Sequence, residues 1–170
     1  MSPRRRLVVA GTACLAVACA PAPQPSADAA SHPAPTAAPE SVALERGPCF
    51  GTCPVYAVTL GRDGSVRFEG RRFIADTGVA TGTVPPARVD SLFTELQSAG
   101  YFDFADSYRS GDAVCRRYAT DLPTVITEVR LGGRVKRIEH DRGCADAPAT
   151  LSAIETRIDE VAGVRRWIGK

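Results

Sequence analysis

Arg46-Gly47-Pro48-Cys49-Phe50-Gly51-Thr52-Cys53-Pro54-Val55-Tyr56-Ala57-Val58-Thr59-Leu60 carries the change from a tether to a folded domain. Two cysteines enclose a Phe-Gly-Thr turn, and Pro54 leads straight into an alternating apolar run. Tyr56, Val58 and Leu60 fall on one side and Val55, Ala57 and Thr59 on the other, the period of two of a half-buried strand. Gly61-Arg62-Asp63-Gly64 supplies turn chemistry, and Val66 and Phe68 resume the alternation, so the pair reads as a hairpin. Gly70 with Phe73 and Ile74 suggests a third short strand, followed by a Gly-containing connection from Asp76 to Val84.

Working towards the C-terminus, Pro85-Pro86 suits a helix start, and Val89, Leu92, Phe93 and Leu96 repeat at helical spacing as far as Gly100. Tyr101 and Phe102 are placed to fold back on its last turn. A polar stretch from Phe104 to about Pro123 reads as a long loop with Cys115 in its middle. Val125, Thr127, Val129 and Leu131 then alternate on one face, and Gly132-Gly133 marks a tight turn into a strand over Arg134 to His140. Val135 and Ile138 lie on opposite faces of that strand, which predicts a bulge. From Pro148, Leu151, Ile154, Ile158 and Val161 define a second helix closed by Gly163, with Trp167 and Ile168 free to pack back. The order βββαββα predicts an α+β fold: an antiparallel sheet of about five strands with two helices on one face.

Working the other way, residues 1–18 have the parts of an export signal: Arg4, Arg5 and Arg6, an apolar run too short to span a bilayer, and small residues before Cys19. Leu15-Ala16-Val17-Ala18-Cys19 resembles the lipobox of bacterial lipoproteins, with its leucine one place further from the cysteine than usual. That resemblance implies an acylated Cys19, a membrane partner through the N-terminal lipid, and a place on the periplasmic side of the cell envelope, in the outer membrane since Ala20 is not aspartate. An ordinary signal peptide cut after Ala18 or Ala20 is the alternative. Residues 19–45 are rich in Pro, Ala and Ser and read as a tether of up to roughly 80 Å, leaving a single domain over 46–170. Of 21 Lys and Arg, 18 remain once Arg4, Arg5 and Arg6 leave with the signal, against 19 Asp and Glu. A near-neutral chain argues against a nucleic-acid partner.

Cys49, Cys53, Cys115 and Cys144 are then the thiols of the domain, and an even number in an exported chain favours disulfides. The expected pairing is Cys49 with Cys53, fixing the turn before the first strand, and Cys115 with Cys144, tying the long loop to the last helix. Zinc, held by the four cysteines or with His140 beside Cys144, is the competing arrangement, disfavoured by an oxidising compartment. A redox role for Cys49 and Cys53 conflicts with the strand that follows them, since thiol oxidoreductases set a two-residue spacing at a helix N-terminus.

Gly47-Pro48-Cys49-Phe50-Gly51-Thr52-Cys53-Pro54-Val55-Tyr56, the Asp63-Gly64 turn, Thr120-Asp121 with Pro123, Ile158-Asp159 and Trp167 together resemble the bacterial exported family catalogued as domain of unknown function 6438, over about Ser41 to Lys170. The resemblance implies a small secreted or lipid-anchored domain and brings no catalytic residue with it.

No nucleophile motif, phosphate-binding glycine loop or paired-histidine metal motif is present, so no catalytic residue, cofactor or metal ligand is assigned. Asp103, Asp106, Asp112 and Asp121 surround the Cys115 loop without the alternation of a calcium loop, and a solvated loop accounts for them. His140 sits at a strand end with no evident partner. Arg130, Arg134, Lys136 and Arg137 suggest a basic strand surface, either guarding a sheet edge or meeting an anionic envelope ligand. The expected function is a non-catalytic binding or structural module facing an unknown envelope protein or anionic ligand, with a small envelope enzyme, thiol redox or hydrolase, as the alternative.

Overall fold

The architecture comes from a computed structural model that describes residues 38–169. Residues 1–37, with the expected export signal, Cys19 and most of the expected tether, and Lys170 lie outside the described residues. The strands are β1 (Ser41–Arg46), β2 (Val55–Gly61), β3 (Ser65–Arg72), β4 (Gly78–Thr83), β5 (Ser107–Tyr108), β6 (Thr124–Leu131) and β7 (Arg134–Asp141). The helices are α1 (Pro86–Ser98), α2 (Ala149–Ala162) and a short α3 (Arg165–Ile168), with a 3-10 turn over Tyr101–Asp103. All seven strands form one sheet in the order β4-β3-β2-β1-β6-β7-β5. The α+β class stands. The sheet is larger than the five antiparallel strands expected, and it is mixed, because β5 runs parallel to β7.

The largest departure from the sequence reading is β1, placed at the end of the tether and found at the centre of the sheet. Ser41–Arg46 pairs antiparallel with β2, from Ser41 opposite Gly61 to Arg46 opposite Tyr56, and with β6, from Ser41 opposite Arg130 to Arg46 opposite Val125. Val42 and Leu44 point into the core and are fully buried, which is why so short a strand holds this position. Glu40, just ahead of it, accepts the Gly132 N–H at 2.8 Å and pairs with Arg62. One carboxylate thus joins the two hairpin turns that flank β1.

The hairpin β2–β3 is as expected, but Phe73 and Ile74 lie in a bend rather than a third strand. The next strand is β4, drawn from the stretch read as a connection, and it pairs with β3 in unbroken register from Ser65 opposite Thr83 to Gly70 opposite Gly78. β6 and β7 also pair without interruption, so the bulge expected in the last strand is absent. Val135 is simply exposed, with Ile138 and His140 forming the buried face. The irregularity lies elsewhere, between Val55 and Tyr56 against β3.

Both long helices present the stripe their spacing predicts: Val89, Leu92, Phe93 and Leu96 from α1, and Leu151, Ile154, Ile158 and Val161 from α2, all buried. Gly163 closes α2 in the left-handed conformation (φ 65°), where glycine carries no Cβ penalty. Trp167 of α3 packs its ring on Phe68, with centroids 4.7 Å apart, and completes the core over β3. Among the described residues no helix is long and apolar enough to cross a membrane.

Candidate functional site

One end of the sheet collects the chemically distinctive residues. The C-terminal ends of β1 and β7 and the N-terminal ends of β2 and β6 converge there, together with the loops 47–54, 109–123 and 142–148. Cys49 is bonded to Cys53 (Cα–Cα 5.8 Å) and Cys115 to Cys144 (Cα–Cα 5.5 Å), the pairing expected from the sequence. The loops are stitched together by their backbones: Phe50 N donates to Asp121 O (3.1 Å), Ala119 N to Gly143 O (2.9 Å) and Ala145 N to Arg117 O (3.0 Å). Asp121 adopts φ 73°, an uncommon left-handed conformation for a residue with a Cβ.

His140 does have a partner, one the sequence reading missed. Its Nδ1 lies 2.6 Å from Glu155 Oε1, both side chains are buried, and Arg142 approaches Glu155 Oε2 at 3.5 Å. Glu155 projects from α2 within its buried stripe, and that placement was the available signal. The second polar cluster lies one turn further along α2, next to the first, since Arg46 Nη2 also donates to Glu155 O at 3.3 Å. Arg46 sends Nε and Nη2 to Asp159 Oδ2 at 2.8 and 2.6 Å, and Nε also reaches the Tyr56 hydroxyl at 3.1 Å. Burial pushes the Asp159 carboxyl above the usual aspartate range, with Arg46 pulling the other way, and burial together with the Asp159 charge pushes the Tyr56 phenol up. Asp159 Oδ1 is sealed from solvent and accepts no hydrogen bond from a described residue. A cavity of about 410 Å³ adjoins this cluster between α2 and α3, lined by Tyr56, Thr156, Glu160, Val164, Arg165 and Ile168 among others.

The basic strand surface is not a single surface. Strand alternation puts Arg130 and Arg137 on the open face of the sheet and Arg134 and Lys136 on the helix side. Arg130 pairs with Glu128 at 2.7 Å and Arg137 with Glu139 at 3.8 Å. Lys136 donates to Phe104 O and pairs with Asp106, while Arg134 lies over the Phe102 ring at 4.2 Å. Three of the four aspartates are likewise engaged: Asp106 by Lys136, Asp121 by the Thr120 hydroxyl at 3.1 Å, and Asp112. Asp112 accepts from Ser107 Oγ (2.6 Å) and Arg109 N (2.7 Å), and these bonds hold its carboxyl below the usual range. Among the described residues no group of three or more His, Cys, Asp or Glu side chains is placed to hold a metal ion.

This geometry can be set beside known families. The family model described as Domain of unknown function (DUF6438) matches residues 40–162. The chain belongs to that family. The match begins at Glu40, the carboxylate that joins the two hairpin turns, so the DUF6438 unit includes β1 and ends with α2. No curated protein matches the sequence.

Proposed function

We propose that this DUF6438 protein is a lipid-anchored module of the bacterial cell envelope, held at the periplasmic side of the outer membrane through acylated Cys19, and that it acts by binding rather than by catalysis. The observation that carries the reading is where the reactive groups go. The domain's four cysteines are bonded in pairs, and His140 is closed against Glu155 in the core, so these groups serve the scaffold. Two disulfides accord with an oxidising compartment. The tether joins the sheet at Ala38–Glu40, at the end opposite the disulfide-braced loops, which leaves those loops and the β4 edge open to a partner. Because Arg130, Arg137 and Lys136 already face carboxylates, a protein partner suits the domain better than an anionic ligand.

Two measurements test this. On cell fractionation, wild-type protein should sediment with outer membranes and Cys19→Ser should become soluble; a variant retained in membranes with unchanged mass processing would overturn the anchor. In-cell crosslinking of the anchored protein should recover a macromolecular partner at fixed stoichiometry, with Asp121→Asn capturing as much as wild type. A small molecule chemically converted by the purified protein, with conversion lost in Asp121→Asn, would overturn the binding reading.

A further inference from the structure

The sheet has one edge that no described residue covers. Val84 N donates to Gly64 O at 2.9 Å, and strand alternation then directs the amides of residues 82, 80 and 78 at β3 and those of Val79, Thr81 and Thr83 outward. An edge of this kind is a template for another strand, and proteins ordinarily blunt it with charge, proline, a bulge or a covering segment. β4, Gly-Val-Ala-Thr-Gly-Thr, has no charged residue and no proline, and its register with β3 is unbroken. Its side chains are small or β-branched, suited to pairing and to close approach.

A cation stands on the helix side of this edge, while the open face opposite Thr81 and Val79 carries the paired Arg67 and Glu69. Arg166 of α3 lies on the helix side against Gly82, where an added Cβ would come within 2.7 Å of Arg166 Nη2. The guanidinium stacks over Trp167 at 3.9 Å, donates to Ala162 O at 3.2 Å, and pairs with no carboxylate among the described residues. A strand laid beside β4 would place its side chains opposite Ala80 and Gly82 within reach of it.

We propose that β4 is a docking edge that takes an extended segment of a partner polypeptide as an eighth strand, with an acidic side chain of that segment paired to Arg166. The proposal rests on the reading of the domain as a binding module and names its partner's chemistry. Main-chain hydrogen bonds to Val79, Thr81 and Thr83 give the docking energy, and Arg166 selects an acid at one position. A second copy of the chain fits less well. Antiparallel β4–β4 pairing about a two-fold axis normal to the sheet sets two Arg166 side chains on the same side of the joint.

The test uses the chain from Ala20 onward, which keeps the tether and the domain. A display library of random seven-residue peptides is selected against wild type, Thr81→Pro and Arg166→Glu, each shown by amide NMR to be folded, and enriched sequences are remade as synthetic peptides. Wild type should enrich peptides with alternating β-branched residues and one acidic residue at a fixed position. Thr81→Pro, which removes an outward donor, should weaken them at least about tenfold, and Arg166→Glu should turn the preference from glutamate to lysine by a similar factor. Absence of enrichment, equal binding to Thr81→Pro, or a charge preference indifferent to position 166 overturns the proposal. So does a dimer that Thr81→Pro dissolves, since a second copy then takes the edge. Slow exchange of the 79, 81 and 83 amides in the isolated monomer also overturns it, because the chain then covers its own edge. Failure here leaves the module reading intact, since the crosslinking experiment does not depend on β4.

Discussion

At the β7 side of the sheet the Glu139 amide donates to Asp106 O at 2.9 Å, β5 adds two residues in parallel, and the Lys136 ammonium ties the chain at Phe104 and Asp106. At the β4 side the amides of Val79, Thr81 and Thr83 face outward with no described residue laid across them. One edge is closed with a loop of some twenty residues and a disulfide, and the other is left bare on a strand of small, uncharged side chains. The contrast indicates where the chain spends its stabilising devices, and it gives each edge a different sensitivity to substitution.

The largest expected effect lies on the closed side. His140→Ala leaves Glu155 buried without its 2.6 Å partner and should lower unfolding free energy by about 3–5 kcal/mol in a denaturant titration. A loss under about 1 kcal/mol would show that the buried pair is not what holds α2 to β7. Next, replacing Cys115 and Cys144 together by serine should cost about 3.5 kcal/mol and speed amide exchange at Tyr108 and Glu139, whereas the shorter Cys49–Cys53 loop should cost about 2 kcal/mol and leave those amides unchanged.

The same substitution on both edges sharpens the comparison directly. Glu139→Pro deletes an edge hydrogen bond that is made, and should cost about 1–3 kcal/mol. Thr81→Pro deletes a donor that faces outward, and about 1 kcal/mol or less is expected. Equal losses at the two sites would break the contrast. The smallest effect is in pH. Asp112 and Asp146 are held below the usual aspartate range by Ser107 and Arg109 and by Arg117 and Arg116 respectively. A depressed folded value means their contribution is present above about pH 3.8 and is lost as pH falls through the folded value. Protection of the Arg109, Arg116 and Arg117 amides, relative to their intrinsic exchange rates, should therefore fall on acidification below about pH 3.8, with no matching change along β4.

The two long helices, the two hairpins and the disulfide pairing were legible because each rests on local spacing: 3.6-residue stripes, alternation broken by Gly-containing turns, and an even set of cysteines. β1 was masked by its neighbourhood. Val42 and Leu44 do alternate with Ser41, Ala43 and Glu45, but the run is short and follows a Pro- and Ala-rich stretch. β4 offers no large apolar residue but Val79, since an edge strand with glycine and alanine on its inner face buries little. The basic surface failed for a reason the sequence contained, because residues 134 and 136 cannot share a face with residue 137 in a strand. The partner of His140 is fifteen positions away on another element, and only the placement of Glu155 among the apolar residues of α2 hinted at it.

The central position of β1 also bears on mechanical load. A pull on the chain ahead of Ala38 runs along the axis of β1, whose two antiparallel ladders, to β2 and to β6, must then slide together rather than peel open bond by bond. The clasp of Glu40 on the Gly132 amide and Arg62 sits at the point where that force enters. Traction between an anchored N-terminus and a partner gripping β4 would cross the sheet in shear, so the strand that reads as the end of a tether is the one on which such tension would fall first.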